Sequence, residues 1–254
     1  MIGASPAVRT DGRKIRRARA AHASPVDASL SCPSLSADYP VISSAPAAPV
    51  LDLDAVRAAP LARAPYPYVL GRQVIRPEAA PALARDFPAI AKPGYLTVDE
   101  VALSGRFGDL VAELEGDAVS RVLGEKFGID LVSHPRLTTV MGRSQPKYGA
   151  IHTDGAAKVL TLLLYLNDAW EAPEAGRLRV LYDGERFDPY AVEVPPTMGT
   201  MFAFLRGDTS WHGHRPFAGE RRVVQVAWMR DAAELARKRR RNRTAQLFKG
   251  IFRR

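Results

Sequence analysis

Tyr148-Gly149-Ala150-Ile151-His152-Thr153-Asp154 is an alternating run that ends in His-x-Asp, and Trp211-His212-Gly213-His214 follows some sixty residues later. On an extended strand, positions i and i+2 point to the same face. One strand end therefore aims an imidazole and a carboxylate at a single point. A second imidazole from a distant strand completes two His and one carboxylate. Such a set caps one face of an octahedral metal ion and leaves the remaining positions open. His152, Asp154 and His212 form this candidate set, with His214 as the rival third ligand because it shares a strand face with His212.

More of the chain falls into place around these ligands. After His152-Thr-Asp154 come Leu162-Leu-Leu-Tyr165-Leu-Asn167, Gly176-Arg-Leu178-Arg-Val and Pro196-Thr-Met-Gly199-Thr-Met-Phe202-Ala-Phe204. His212-Gly-His-Arg-Pro216 and Gly219-Glu-Arg-Arg222-Val-Val-Gln-Val-Ala-Trp228 close the series. Six elements in this order resemble the 2-oxoglutarate and Fe(II)-dependent oxygenases, in the branch that looks like the prolyl 4-hydroxylases. The resemblance covers residues 148–228 and is silent before residue 90.

The resemblance implies roles. His212 is preferred over His214 because its offset to Pro216 matches the family's His-x-x-x-Pro, which leaves His214 at the pocket rim. A cation must hold the far carboxylate of 2-oxoglutarate, and arginine offers a two-pronged donor. Arg221 and Arg222 are adjacent and face opposite ways on a strand. The family places the arginine six residues before the tryptophan, which selects Arg222 with Trp228 on the same face; the other register points Arg221 inward. Tyr165 is either a hydroxyl donor to the same carboxylate or a core aromatic, and Tyr148 is a further candidate for the pocket. The implied cofactor is Fe(II), the cosubstrates are 2-oxoglutarate and O2, and ascorbate is a candidate reductant.

The chain has 254 residues, enough for one large β domain or two small ones, and its 46% apolar content is enough for a real core. Its net charge of +9 misleads as a whole. Residues 237–254 hold nine Lys/Arg and no acid, and residues 1–22 hold six Lys/Arg and one Asp, so the body between them is acidic. Basic ends can meet nucleic acid or an acidic surface, but solvated extensions are the plainer reading. Cys32 is the single cysteine, which forbids an internal disulfide and fits a reducing, cytoplasmic setting. No apolar run reaches the length of a membrane span.

Residues 1–50 are rich in Ala, Ser, Pro and Arg without a sustained period and read as a disordered extension. Order is expected from Leu51, with an early strand within 65–75, a short helix from Pro77 and a helical region over 108–128. Strands are expected at 136–142, 147–153, 158–166, 177–182, 190–194, 200–205 and 221–229, a spacing that suggests a closed or two-sheet antiparallel fold. The resemblance implies a mainly β (α+β) double-stranded β-helix of the jelly-roll type with flanking helices. Residues 51–236 would form the dioxygenase domain. Residues 237–254 would form a basic amphipathic helix whose stripe of Leu247, Phe248, Ile251 and Phe252 packs on the barrel in the favoured reading, with a second subunit or an anionic membrane as the alternatives.

The resulting expectation is an enzyme that couples oxidative decarboxylation of 2-oxoglutarate to hydroxylation of an unidentified substrate. Two alternatives stand beside it. Two His and one Asp with an open site suit a Zn(II) hydrolase, although an anchoring arginine has no purpose there. A non-catalytic β-barrel binding module would place the function in the basic ends instead.

Overall fold

A computed structural model describes residues 48–240. Expectations for residues 1–47 and 241–254, including Cys32 and the stripe from Leu247 to Phe252, lie outside the described residues. The ten strands are β1 (Leu61–Ala62), β2 (Tyr68–Gly71), β3 (Leu96–Thr97), β4 (Arg136–Ser144), β5 (Lys158–Tyr165), β6 (Leu178–Leu181), β7 (Tyr190–Val194), β8 (Met201–Leu205), β9 (His212–Gly213) and β10 (Gly219–Met229). Four α-helices accompany them: α1 (Leu53–Ala58), α2 (Ala80–Asp86), α3 (Gly105–Glu115) and α4 (Asp117–Phe127). A further helical run over 232–240 carries Leu235 against Leu137, Ala227 and Met229. No described helix is long and apolar enough to cross a membrane.

Seven strands make one antiparallel sheet in the order β1-β2-β8-β5-β10-β4-β3, and three make a second in the order β7-β6-β9. The two sheets pack face to face. Leu163, Tyr165, Phe202 and Val223 of the large sheet share one apolar cluster with Leu178, Val180 and Val194 of the small one. This is the expected double-stranded β-helix.

The other face of the large sheet is also buried. Leu160, Leu162, Leu164, Val224, Val226 and Trp228 meet Phe107, Leu110 and Leu114 of α3 and Val119, Val122 and Leu123 of α4. A strand covered on both faces needs apolar residues at consecutive positions, which explains the run Val159-Leu-Thr-Leu-Leu-Leu-Tyr165 of β5, interrupted only by Thr161.

Three expectations are corrected. The helical region at 108–128 is two helices, because Gly116 adopts an extended backbone (φ −72°, ψ 159°) between α3 and α4. Gly128, at φ +69°, closes α4 in the left-handed conformation that glycine tolerates best. The strand expected at 147–153 is a 3-10 turn over Pro146–Gly149 followed by irregular chain; Pro146 has no N–H to give a ladder. Order also begins before Leu51. Val50 is fully buried, and the amides of Val50 and Leu51 donate to the two carboxylate oxygens of Glu113 at 2.7 and 2.8 Å.

Trp228 was expected to face the pocket, yet it lies on the helix-covered face, where its indole N–H donates to Ser120 Oγ at 3.0 Å. Both residues are fully buried. Ser120→Ala should therefore strand a buried donor and lower stability by about 1–3 kcal/mol. Urea denaturation measures this, and an unchanged midpoint would mean that the indole bond contributes nothing.

Candidate metal centre and carboxylate anchor

The backbone brings two imidazoles together. His152 N–H donates to His212 O at 3.0 Å, and His212 N–H donates to His152 O at 3.0 Å, so the two residues form one reciprocal antiparallel pair. In such a pair both side chains project on the same side and lie close, and here the ring centroids are 4.4 Å apart. This single bridge extends the small sheet beyond β9 and replaces the longer strand expected before Asp154.

Each imidazole has one nitrogen committed. His152 Nδ1 donates to Ala150 O at 2.8 Å, and His212 Nδ1 donates to Ser210 O at 2.9 Å. A carbonyl only accepts, so the proton sits on Nδ1 and the Nε2 lone pair is left to bind a metal. Asp154 completes the group: one ligand atom from each of His152, Asp154 and His212 lies within 4.8 Å of the others. Asp154 is held from the inner face of β5. Thr161 Oγ1 donates to Oδ2 at 2.5 Å, Lys158 Nζ donates to Oδ1 at 2.8 Å, and Arg206 Nε donates to the Asp154 carbonyl at 3.2 Å.

The electrostatics suit a cation. Burial alone would raise the Asp154 carboxyl, but Lys158, His212 and the hydrogen bonds from Lys158 and Thr161 outweigh it and hold the group at about 2. Burial lowers His212 to about 4, opposed by Asp154 and assisted by His152. An ionised carboxylate and a neutral buried imidazole are the states that metal binding requires. The donor set therefore fits Fe(II), with two imidazoles, one carboxylate and open positions toward the cavity.

That cavity encloses about 130 Å³ between the two sheets. Met141, Leu163 and Leu178 form apolar walls, and Tyr148 lines it as expected, with its hydroxyl donating to Pro93 O at 3.4 Å. His214 also lines it, but it is not part of the ligand group. Its Nδ1 donates to Arg215 O at 2.9 Å, and burial, aided by Arg221, lowers its pKa to about 4.

The arginine register differs from the expected one. Arg221, not Arg222, points into the cavity and is 3% exposed. Its Nε donates to Gly176 O at 3.1 Å and its Nη2 to Tyr165 Oη at 3.2 Å. Among the described residues no carboxylate forms an ion pair with Arg221. Arg222 lies on the opposite face, pairs with Glu220 at 2.6 Å, donates to Ala84 O and covers the Phe87 ring. Inward alternation runs Arg221, Val223, Gln225, with Val223 opposite Tyr165 on β5 and an extra residue relative to β4 between Glu220 and Val223. The inward arginine thus lies an odd number of residues before Trp228, which puts the two on opposite faces.

Tyr165 is fully buried in the inner cluster and touches the Arg221 guanidinium, so it is at once a core aromatic and a neighbour of the anchor. Burial raises its hydroxyl pKa, with Arg221 pulling the other way. Sequence reading passed over Thr161, Lys158, Gln225 and Tyr95. The phase of β5 relative to Tyr165 is a signal for Thr161; for Tyr95 the sequence carries none.

His152→Ala, Asp154→Ala and His212→Ala should each abolish Mn(II) binding measured by calorimetry, while His214→Ala should retain it. Thr161→Ala removes one bond to Asp154 and should weaken the metal by about 10–100-fold. Retention of metal by His212→Ala together with loss in His214→Ala would exchange the third ligand.

Residues 140–230 match the family model described as the 2OG-Fe(II) oxygenase superfamily. No curated protein matches the sequence. Similar solved structures include prolyl 4-hydroxylases from Phytophthora capsici (18% identity, TM-score 0.46, 64% of this chain and 58% of that one) and Pseudomonas putida (18%, 0.48, 71% and 97%). A prolyl hydroxylase from Trichoplax adhaerens, in complex with a hypoxia inducible factor oxygen degradation domain peptide fragment, is also similar (13%, 0.44, 66% and 86%). The chain spans 58% of the length of the first of these. The matched residues contain His152, Asp154, His212 and Arg221, so the candidate ligands and the inward arginine lie within the segment that is similar to the 2OG-Fe(II) oxygenase superfamily.

Proposed function

We propose that this protein is an Fe(II)- and 2-oxoglutarate-dependent dioxygenase that hydroxylates a C–H bond of its substrate. In the overall reaction one oxygen atom of O2 ends in succinate and the other in the new hydroxyl, and CO2 is released. The observation that carries this reading is Arg221, a buried guanidinium without a carboxylate partner among the described residues that faces the same cavity as His152, Asp154 and His212. A buried charge left unpaired is costly, so an arginine is kept there to meet an anion. A hydrolase built on the same metal ligands has no use for it.

The bound iron would activate O2 and accept the keto acid end of 2-oxoglutarate. The chain's own residues do the rest. His152, Asp154 and His212 would hold the metal on one face. Arg221 would bind the distal carboxylate with two parallel donors, and Tyr165 Oη would turn its proton toward the same carboxylate. Met141, Leu163 and Leu178 exclude water from the space between metal and anchor, which strengthens the charge pairing. Tyr148 frames the mouth through which a substrate would enter. The single cysteine supports a cytoplasmic setting for the enzyme.

Succinate formation at varied 2-oxoglutarate concentration tests the reading. Arg221→Lys keeps the charge but loses the fork, so its KM should rise by about 10–100-fold with metal affinity unchanged. Arg221→Ala should be worse, and Arg222→Ala should match the wild type in KM. A crippled Arg222→Ala beside a normal Arg221→Ala would reverse the assignment, and iron-independent turnover without succinate would end it.

A further inference from the structure

The segment that precedes β3 lies outside the family-matched residues, yet it reaches the cavity. Three contacts fix it. Gly94 N–H donates to Arg143 O at 3.0 Å, which ties the segment to the edge of β4 just before Leu96 and Thr97 pair with Val140 and Thr139. Tyr148 donates to Pro93 O. Gly94 itself sits at φ +100°, and a Cβ there would lie 2.7 Å from the Tyr148 hydroxyl, so only glycine fits. Beyond β3, the Thr97–Glu100 capping box locks the chain again.

Held between these points, Tyr95 spans the site from outside to inside. It remains 37% exposed at the mouth, and it lines the same cavity as Arg221. Burial pushes its hydroxyl up to about 12 even against the pull of Arg221, so it carries its proton at neutral pH.

We propose that Tyr95 is a positioning residue that links the cosubstrate to the substrate mouth: its hydroxyl donates to the distal carboxylate held by Arg221, and this bond fixes its ring as a wall of the entrance. The inference rests on the proposed 2-oxoglutarate site. The guanidinium already donates to one phenol, Tyr165, and shares the cavity with a second, Tyr95. When a carboxylate arrives, each phenol can turn its proton from solvent or cavity toward the new acceptor without moving its ring. Cosubstrate binding would thereby order the mouth before a substrate enters.

The test uses the Mn(II)-loaded full chain and 2-oxoglutarate in calorimetry, with Tyr95→Phe, Arg221→Ala and wild type side by side. Phenylalanine keeps the ring and removes only the hydroxyl. Tyr95→Phe should lose affinity by about tenfold, as expected for one hydrogen bond to a charged group. Hydrogen exchange supplies a second measurement: 2-oxoglutarate should slow the amides of residues 94–97 in wild type and not in Tyr95→Phe. Wild-type affinity and wild-type protection in Tyr95→Phe, alongside weak binding by Arg221→Ala, would overturn the role of Tyr95 and leave the cosubstrate site standing. A wild-type protein that binds no 2-oxoglutarate would remove both.

Discussion

The reciprocal backbone pair between His152 and His212 is the constraint on which the rest of the site depends. Two hydrogen bonds of 3.0 Å fix the separation and facing of two residues sixty positions apart. No other backbone pairing holds residue 152, because the chain before it is a turn and the chain after it is irregular. The bridge thus closes the small sheet and presents both Nε2 atoms to one point. Asp154 needs a separate support, and β5 provides it through Thr161 and Lys158. The metal centre is therefore built where the two sheets meet, with ligands delivered by one sheet and steadied by the other.

The large sheet divides its two faces between different tasks. Its outer face binds the helices through aliphatic side chains and the Trp228–Ser120 bond, and supplies cohesion. Its inner face carries Thr161, Tyr165, Arg221 and Gln225 among apolar neighbours, and supplies chemistry. Arg221 and Arg222 show how sharp the division is. One ends in a closed cavity beside a phenol, and the next pairs with Glu220 and caps an aromatic ring beside α2. The period of two along a strand alone separates these fates.

Charge placement follows the same logic. Asp154 is stabilised as an anion by Lys158 and Thr161, whereas Arg221 donates to a carbonyl and a phenol. A buried cation balanced by neutral dipoles is less stable than one facing a carboxylate. The proposed dicarboxylic cosubstrate would relieve that imbalance by meeting the metal at one end and the guanidinium at the other. The stability given up at Arg221 is recovered elsewhere, as in the Glu113 carboxylate that ties the start of the ordered chain to α3.

The sequence by itself determined an antiparallel β fold and a candidate metal group, because both are written in local spacing, while the double-stranded β-helix and the preference for His212 came through the resemblance. His152-x-Asp154, the offset from His212 to Pro216 and the apolar runs of β5, β8 and β10 are short-range patterns that survive without coordinates. What only the tertiary structure decided is which way neighbouring side chains face. A register error of one residue inverts a strand, and the choice between Arg221 and Arg222 turned on which face of β10 meets the small sheet and which meets the helices, a matter that only packing reveals. The turn at Pro146 and the split at Gly116 hid in the same way, since a proline or a glycine marks a break without fixing its geometry. Tyr95 was invisible for a further reason. Its place in the cavity comes from the pairing of β3 with β4, a contact across more than forty residues that no local pattern encodes.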